Sequence, residues 1–422
     1  MAKESALVSR KSPITGFNFL LTFTNGLLNN NDSTLAQLAA YLNNNCDTEV
    51  SPQAIDQRIN EAGKDFLKIC FKKALEFSLK HIKINNVILE KFKHIYIIDS
   101  TNIKLHPKLH EIFKGTGGGA SKSSLRIQFM YDFLTGKMYI EIGDVKLSDA
   151  KTLYNIIKEN KIDTDGTALF LADLGYYKID SFILINEASH NFISKLKCGV
   201  NVHNKTGKNI NIPKLFKNRS EVNITVKIGN LECRLLGKKL PENIANKRLR
   251  DAKKDAVNRG RTLSKEKKIR LNYALYISNI NDSLTVENVF NIYRLRWQIE
   301  LIFKTWKSIL GIHKIRSARV NRVLCEIYGK LIIAALTSNL YYALKYEYNI
   351  IVSYHKMLQY IKAVTVNWTV CILKGKDCHR KFLEKLIKQI IRLCRKNKQK
   401  NKPYIEMILE AMNINKKQTI RP

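Results

Sequence analysis

Three acidic residues stand where metal-assisted phosphodiester chemistry would need them: Asp99, Asp173 and Glu300. Asp99 closes the apolar run Ile95-Tyr96-Ile97-Ile98, and Asp173 closes Leu169-Phe170-Leu171-Ala172. Such runs read as buried strands. A buried strand that ends in a carboxylate delivers charge to the carboxyl edge of a sheet, where open α/β folds place their sites. Two such strands and one acidic helix can converge on a pair of divalent cations. That arrangement activates water against a phosphodiester and stabilises the oxygen that leaves. The expected ion is Mg2+, bound as a pair with Mn2+ as a substitute, because the ligands would be carboxylates, water and phosphate oxygens.

Glu300 lies in the segment Tyr293 to Lys307, read as one helix. At about 100° per residue, Tyr293, Arg296, Glu300 and Lys307 fall within a sector of roughly 60°. Leu295, Ile299, Ile302, Phe303, Trp306 and Leu310 occupy a second, apolar sector. The helix is expected to bury that stripe and to present a phenol, a guanidinium, a carboxylate and an ammonium beside it. Taken alone, Arg296 and Glu300 would read as an exposed i,i+4 pair contributing a few tenths of a kcal/mol. The two strand-end aspartates and the basic character of the chain favour a site.

The elements that must position these groups follow from periodicity. Residues 1–90 read as helical. Ser33 caps an apolar-periodic run through Leu42, and Ser51 with Pro52 opens a second short helix. The pair fits either a helix-turn-helix or an ordinary bundle. Leu125–Phe133 and Lys137–Ile142 alternate across Thr135-Gly136, which predicts a hairpin. Ser148 caps a helix through Lys158, and a helix from about Tyr177 and a strand through Phe192-Ile193 follow Asp173. The glycines after Lys114 lack the Lys-Ser/Thr of a phosphate-binding loop. Val222–Ile228 and Leu231–Leu236 read as strands paired across Gly229-Asn230. A basic helical run comes next, with Lys247, Arg248, Arg250, Lys253, Lys254, Arg259 and Arg261 as candidate DNA contacts and further cations to Arg270. Tyr273–Ser278 resumes as a strand. Cys325–Leu344 reads as an apolar helix and Phe382–Cys394 as an amphipathic one.

The chain has 422 residues and a formal net charge of +36, from 72 Lys+Arg against 36 Asp+Glu. An AT-rich coding sequence would account for the lysines but not for the shortage of acids. The imbalance therefore points to a polyanionic partner, nucleic acid ahead of a membrane surface. The longest apolar stretch, Leu331–Leu336, is far shorter than the roughly 20 residues of a spanning helix. The N-terminus lacks the apolar core of a secretory signal. The eight cysteines are scattered with no CxxC pair, which speaks against structural zinc and fits a reducing cytosol.

Tyr-x2-Arg-x3-Glu-x6-Lys is the signature of one large group of bacterial insertion-sequence transposases of the DDE class. Tyr293, Arg296, Glu300 and Lys307 match it at every position, and the chain resembles that group. Asp99-Ser100-Thr101 resembles its first-acid motif, Asp-small-Thr, and Asp173-Leu174-Gly175-Tyr176 resembles the second, Asp-x-Gly-Tyr. The basic run before Tyr273 and the Ser278-Asn279 strand end are also similar. The resemblance covers about 90 to 320. It implies an α/β, ribonuclease-H-like catalytic core in two parts, 91–195 and 276–318, interrupted by a β-rich basic insertion over 196–275. A helical DNA-binding region, 1–90, and a helical C-terminal region, 319–422, would flank it. It further implies Asp99, Asp173 and Glu300 as metal-binding catalytic acids, with Tyr293, Arg296 and Lys307 on the DNA end. The implied activity is cut-and-paste transposition by a homodimer bound to double-stranded DNA, at terminal inverted repeats and at a target, in a bacterial cytoplasm at the nucleoid. A ribonuclease-H-like nuclease without strand transfer, and an inactive transposase-derived DNA-binding regulator, are the alternatives. One departure stands out. Relatives that form hairpin ends hold a flipped base with a tryptophan in the insertion, and 196–275 has none, so either another ring (Phe216, His203 or Tyr273) takes that place or the strand chemistry differs.

Overall fold

In the computed structural model, which describes residues 1–7, 12–76, 89–116, 121–162, 166–281, 284–346, 348 and 350–396, the apolar runs form one sheet. Its strands are β1 (His94–Lys104), β2 (Ser124–Asp132), β3 (Met138–Gly143), β4 (Ala168–Ala172), β5 (Asn191–Lys195), β6 (Glu221–Ile228), β7 (Leu231–Lys239) and β8 (Tyr273–Ser278). They lie in the order β3-β2-β1-β4-β5-β8-β7-β6. β1, β4 and β5 are parallel. β2–β3, β5–β8, β8–β7 and β7–β6 are antiparallel. This is the α/β, ribonuclease-H-like architecture with helical flanks that the sequence predicts.

Helices α1 (Gly16–Leu21), α2 (Leu27–Asn29), α3 (Leu35–Asn45), α4 (Pro52–Arg58) and α5 (Glu61–Glu76) precede the sheet. Five more interleave with it, α6 (Asp149–Lys158), α7 (Ile179–Glu187), α8 (Ile212–Leu215), α9 (Glu242–Asn258) and α10 (Lys265–Arg270), and α11 (Val286–Arg294) follows β8. The last five are α12 (Trp297–Thr305), α13 (Val320–Tyr346), α14 (Tyr354–Ala363), α15 (Thr365–Leu373) and α16 (Lys376–Leu393). Two compact units divide these residues. One draws on Met1–Ile84, Ser100–Leu147 and Ile299–Asn401, the other on Asn85–Asp99 and Ser148–Gln298.

In the first unit, α13 is the spine. It packs along α5, α2 and the π-helical turn Thr22–Gly26, and a Cβ on Gly329 would lie 2.0 Å from the Phe23 carbonyl oxygen, so only glycine lets the two backbones approach. By length and composition, Val320–Lys345 is apolar enough to cross a membrane, but 78% of its most apolar window is buried within the protein. The six-residue apolar run seen in the sequence understates this helix, because Tyr and Thr positions continue its buried surface. The N-cap of α3 is Thr34, not Ser33: Thr34 and Gln37 form a capping box, while the Ser33 hydroxyl donates to the Asn30 carbonyl. Ser51 caps α4 as expected. Phe129 of β2 meets Trp306 and Phe303 at ring distances of 4.8 and 5.7 Å.

In the second unit, β6 and β7 pair along their full length and β7 adds to β8. The inserted segment therefore extends the core sheet at one edge, and its helices α8 to α10 make it only partly β. Buried Arg234 on β7 donates to the carbonyls of Ile280 and Leu284 at 2.9 and 3.0 Å, tying the insertion to the loop that enters α11. The glycine-rich stretch after Lys114 lies partly outside the described residues, and the charge run from Arg395 to Lys402 lies outside them beyond Lys396.

Candidate active site

The two aspartates are set by strand register. Ile98 of β1 pairs with Ala172 of β4, the last pair of that parallel ladder. Asp99 comes next on β1, and Asp173 follows the end of β4, a strand about 4.8 Å from β1. β1 does not stop at Asp99, as the apolar run suggested. It continues to Lys104, and its burial passes from continuous over His94–Ile98 to alternating after Ser100. Asp99 thus marks where β1 outlasts β4. Asp173 sits in extended backbone ahead of a single 3-10 turn, Leu174–Tyr176.

Glu300 occupies the first turn of α12. It lines a cavity of about 490 Å³ with Ser100, Thr101, Phe303, Lys304, Lys307, Ser308 and His313. Ser100 and Thr101 are the residues that follow Asp99 directly. Among the described residues, no group of three or more His, Cys, Asp or Glu side chains is gathered to hold a metal ion. The donor chemistry of the three acids is all oxygen, which suits Mg2+, an ion held through one or two carboxylates, water and substrate phosphate rather than an all-protein cage.

The segment from Tyr293 to Lys307 is not one continuous α-helix. α11 ends at Arg294, tight i→i+3 bonds carry the chain through Leu295 and Arg296, and α12 begins at Trp297. Lys307 then lies on a π-helical turn, Trp306–Leu310, that ends at Gly311 in the left-handed region (φ 56°). Each irregularity shifts the helical phase, so the shared sector worked out for a regular helix does not carry through. The apolar stripe survives: Leu295, Ile299, Phe303, Trp306 and Leu310 are all buried.

The polar residues take individual partners. The Tyr293 hydroxyl donates to the carbonyl of Ala172, the peptide that leads into Asp173, at 3.1 Å. Burial pushes the phenol well above its ordinary range, so it stays protonated. The Arg296 guanidinium lies 3.4 Å from Asp99 Oδ2, with side-chain exposures of 5% and 23%. Tyr293 and Arg296 are therefore buried against the strand ends that carry the acids rather than solvated. Lys307 is half-buried in the Glu300 cavity.

Of the three rings in the insertion that could hold a base, Phe216 is buried and stacks on half-buried Tyr273 at 4.6 Å. His203 is half-buried and exchanges backbone bonds with Lys227. The basic run forms α9 and α10. Lys247, Arg248, Arg250, Lys253, Lys254, Arg259 and Arg261 fall on or just after α9; Arg270, at the end of α10, instead turns inward and donates to the Lys197 carbonyl. One feature escaped the helical periodicity: Trp297, next to Arg296, is 55% exposed.

The family model described as Transposase DDE domain matches residues 90–336 of the chain. The protein belongs to the DDE transposase family. The matched span runs from the 3-10 turn before β1 through α12 and into α13. Similar proteins include the transposase of insertion sequence element IS1151 from Clostridium perfringens, 30% identical over 374 residues, with 82% of this chain and 78% of that protein covered. The transposase of IS231C from Bacillus thuringiensis subsp. berliner is 25% identical over 438 residues, covering 96% and 89%. Among solved structures, the piggyBac transposase in a synaptic complex with hairpin DNA has a TM-score of 0.50 at 10% identity, covering 95% of this chain and 82% of that one. At that identity the likeness is one of fold.

Proposed function

We propose that this transposase cleaves DNA at the terminal inverted repeats of an insertion sequence and joins the freed 3′-hydroxyl ends to a target, acting as a homodimer. The observation that carries this reading is the register of β1 on β4, which sets Asp99 and Asp173 side by side one step beyond Ile98 and Ala172. Asp99, Asp173 and Glu300 are the residues that would hold Mg2+, which when bound supplies an acidified water and neutralises the leaving oxygen. Arg296 fixes the Asp99 carboxylate and offsets its charge. Tyr293, protonated and bonded to the Ala172 carbonyl, holds the peptide from which Asp173 projects. Lys307 faces the Glu300 cavity and can donate to a phosphate oxygen. The exposed cations of α9 supply backbone contacts that bind without reading sequence.

The test uses the inverted repeats bracketed by a short direct duplication that are expected beside the gene. Purified protein with Mg2+ should nick a duplex carrying such an end and join it to a second DNA. Glu300→Gln should bind that duplex and neither cut nor join it. Normal-rate cutting by Glu300→Gln would remove the assignment of the third acid. Hydrolysis without any joined product would make the protein a nuclease, and binding with neither reaction would make it a DNA-binding regulator.

A further inference from the structure

Beside the Glu300 cavity lies a second, larger one of about 770 Å³, lined by Asp32, Asn102, Lys104, Leu105, His106, Lys307, His313, Lys314, Ile315 and Arg316. Lys307 and His313 line both, so the two cavities adjoin. The larger one, a cleft, holds four cations and two imidazoles against one carboxylate, Asp32, and Asp32 pairs with Arg316. Asn102, Lys104, His313 and Lys314 are exposed, as is Arg316. The positive field is felt by His313: burial, then Lys314, Lys307 and Lys330, hold its imidazole below the ordinary range.

Hydrogen bonds hold the backbone that lines the cleft. Asn102 and Lys104 are solvent-facing residues of β1, alternating with buried Thr101 and Ile103, and the Asn102 amide oxygen accepts from Arg126 of β2 at 3.0 Å. On the opposite side, the chain after the π-helical turn is pinned. Lys330 Nζ donates to the carbonyls of Gly311 and Lys314 at 2.9 and 3.1 Å, and the Asn31 amide donates to the Ile309 carbonyl at 2.8 Å. Gly311 needs its left-handed φ here, and a Cβ would meet Asn31 at 2.7 Å.

We infer that this cleft is a binding site for a phosphodiester backbone, seating the strand that runs on from the phosphate held at Glu300. Its cations line a path rather than a single point, as a polyanionic strand requires and a lone phosphate does not. The site rests on the proposed function and deepens it. Two sources offer the same chemistry: donor DNA outside the inverted repeat, and target DNA.

The test compares wild-type protein with the double variant Lys104→Gln/Lys314→Gln, both at exposed positions, without divalent ions. Three probes are used: an end duplex cut at the repeat boundary, the same end extended by its outside DNA, and that cut end with a random-sequence target duplex. The slope of log Kobs against log salt should fall by roughly 0.9 per lost phosphate contact, about 1.8 in all, on at least one probe. A loss confined to the extended end assigns donor DNA, and one confined to the target-containing probe assigns target DNA. Lys104→Arg/Lys314→Arg should restore the slope. If wild type binds all three probes and the double variant shows unchanged slopes on each, the cleft is not a backbone site. If wild type binds none of them, the proposed function itself fails.

Discussion

Arg296 and Asp99 should be energetically coupled. The contact is 3.4 Å, longer than the 2.7–2.9 Å of a strong charge-assisted bond, and the side chains are 5% and 23% exposed. Exposed ion pairs contribute about 0.2–1 kcal/mol, whereas breaking a fully buried pair costs about 3–5 kcal/mol, because one charge is left without compensation. With one partner buried and the other a quarter exposed, the expectation lies between these, at about 1.5–2.5 kcal/mol for Asp99→Asn. Arg296→Met should cost a similar amount, since a carboxylate is then left beside the buried arginine site. The double variant should cost less than the sum of the two, giving a coupling of about 1–2 kcal/mol. Urea unfolding of all four proteins without divalent ions measures this. A coupling below about 0.4 kcal/mol, the range of independent sites, would show that Arg296 does not hold Asp99. The view that the guanidinium prepares the first acid for metal would then be wrong.

Tyr293→Phe should cost about 1–2 kcal/mol of stability by removing the buried bond to the Ala172 carbonyl. It should leave the pH profile of cleavage below pH 10 unchanged, because the phenol stays protonated throughout; a shifted profile would make Tyr293 a proton donor. Lys330 is 2% exposed, with its pKa lowered by burial to about 8. Between about pH 8 and 10.5 the unfolded chain holds more protons than the folded one, so stability from this group rises with pH across that window and the cost is fully present below it. Lys330→Met should flatten the rise, and an unchanged stability–pH curve would contradict the burial argument. Neutralising Lys247, Arg248, Arg250 and Lys253 on α9 should lower the salt slope of DNA binding by up to about 3.6, at roughly 0.9 per phosphate contact; an unchanged slope would make α9 a solvated face.

Residues whose role is set by local pattern were legible in the sequence. The apolar runs before Asp99 and Asp173 declared two buried strands, the spacing of Val222 to Leu236 declared the β6–β7 hairpin, and Ser51-Pro52 declared a helix start. What the sequence hid depends on long-range pairing. The alternation Thr101-Asn102-Ile103-Lys104 allows a strand, but nothing in it shows that β4 stops pairing at Ile98, because that depends on the register between two strands distant in sequence. The turn at Leu295–Arg296 and the π-helical turn at Trp306 are equally silent, since the apolar stripe persists across both. For that reason Arg296 looked exposed, when it is buried and meets Asp99, 197 residues away.

The packing of α5 on α13 has a consequence for how this chain is made. Its helical unit is assembled from the first, a middle and a late stretch of sequence, so the early helices leave the ribosome long before their main partner exists. Until Val320–Tyr346 is synthesised, the apolar faces of α5 and of the π-helical turn near Phe23 lack the long helix that packs along both. Contacts this distant in sequence delay folding and leave intermediates prone to aggregation. The first 90 residues are thus a poor candidate for excision as a free-standing module: cut out alone, they would carry an exposed apolar face, whatever DNA they contact in the intact protein.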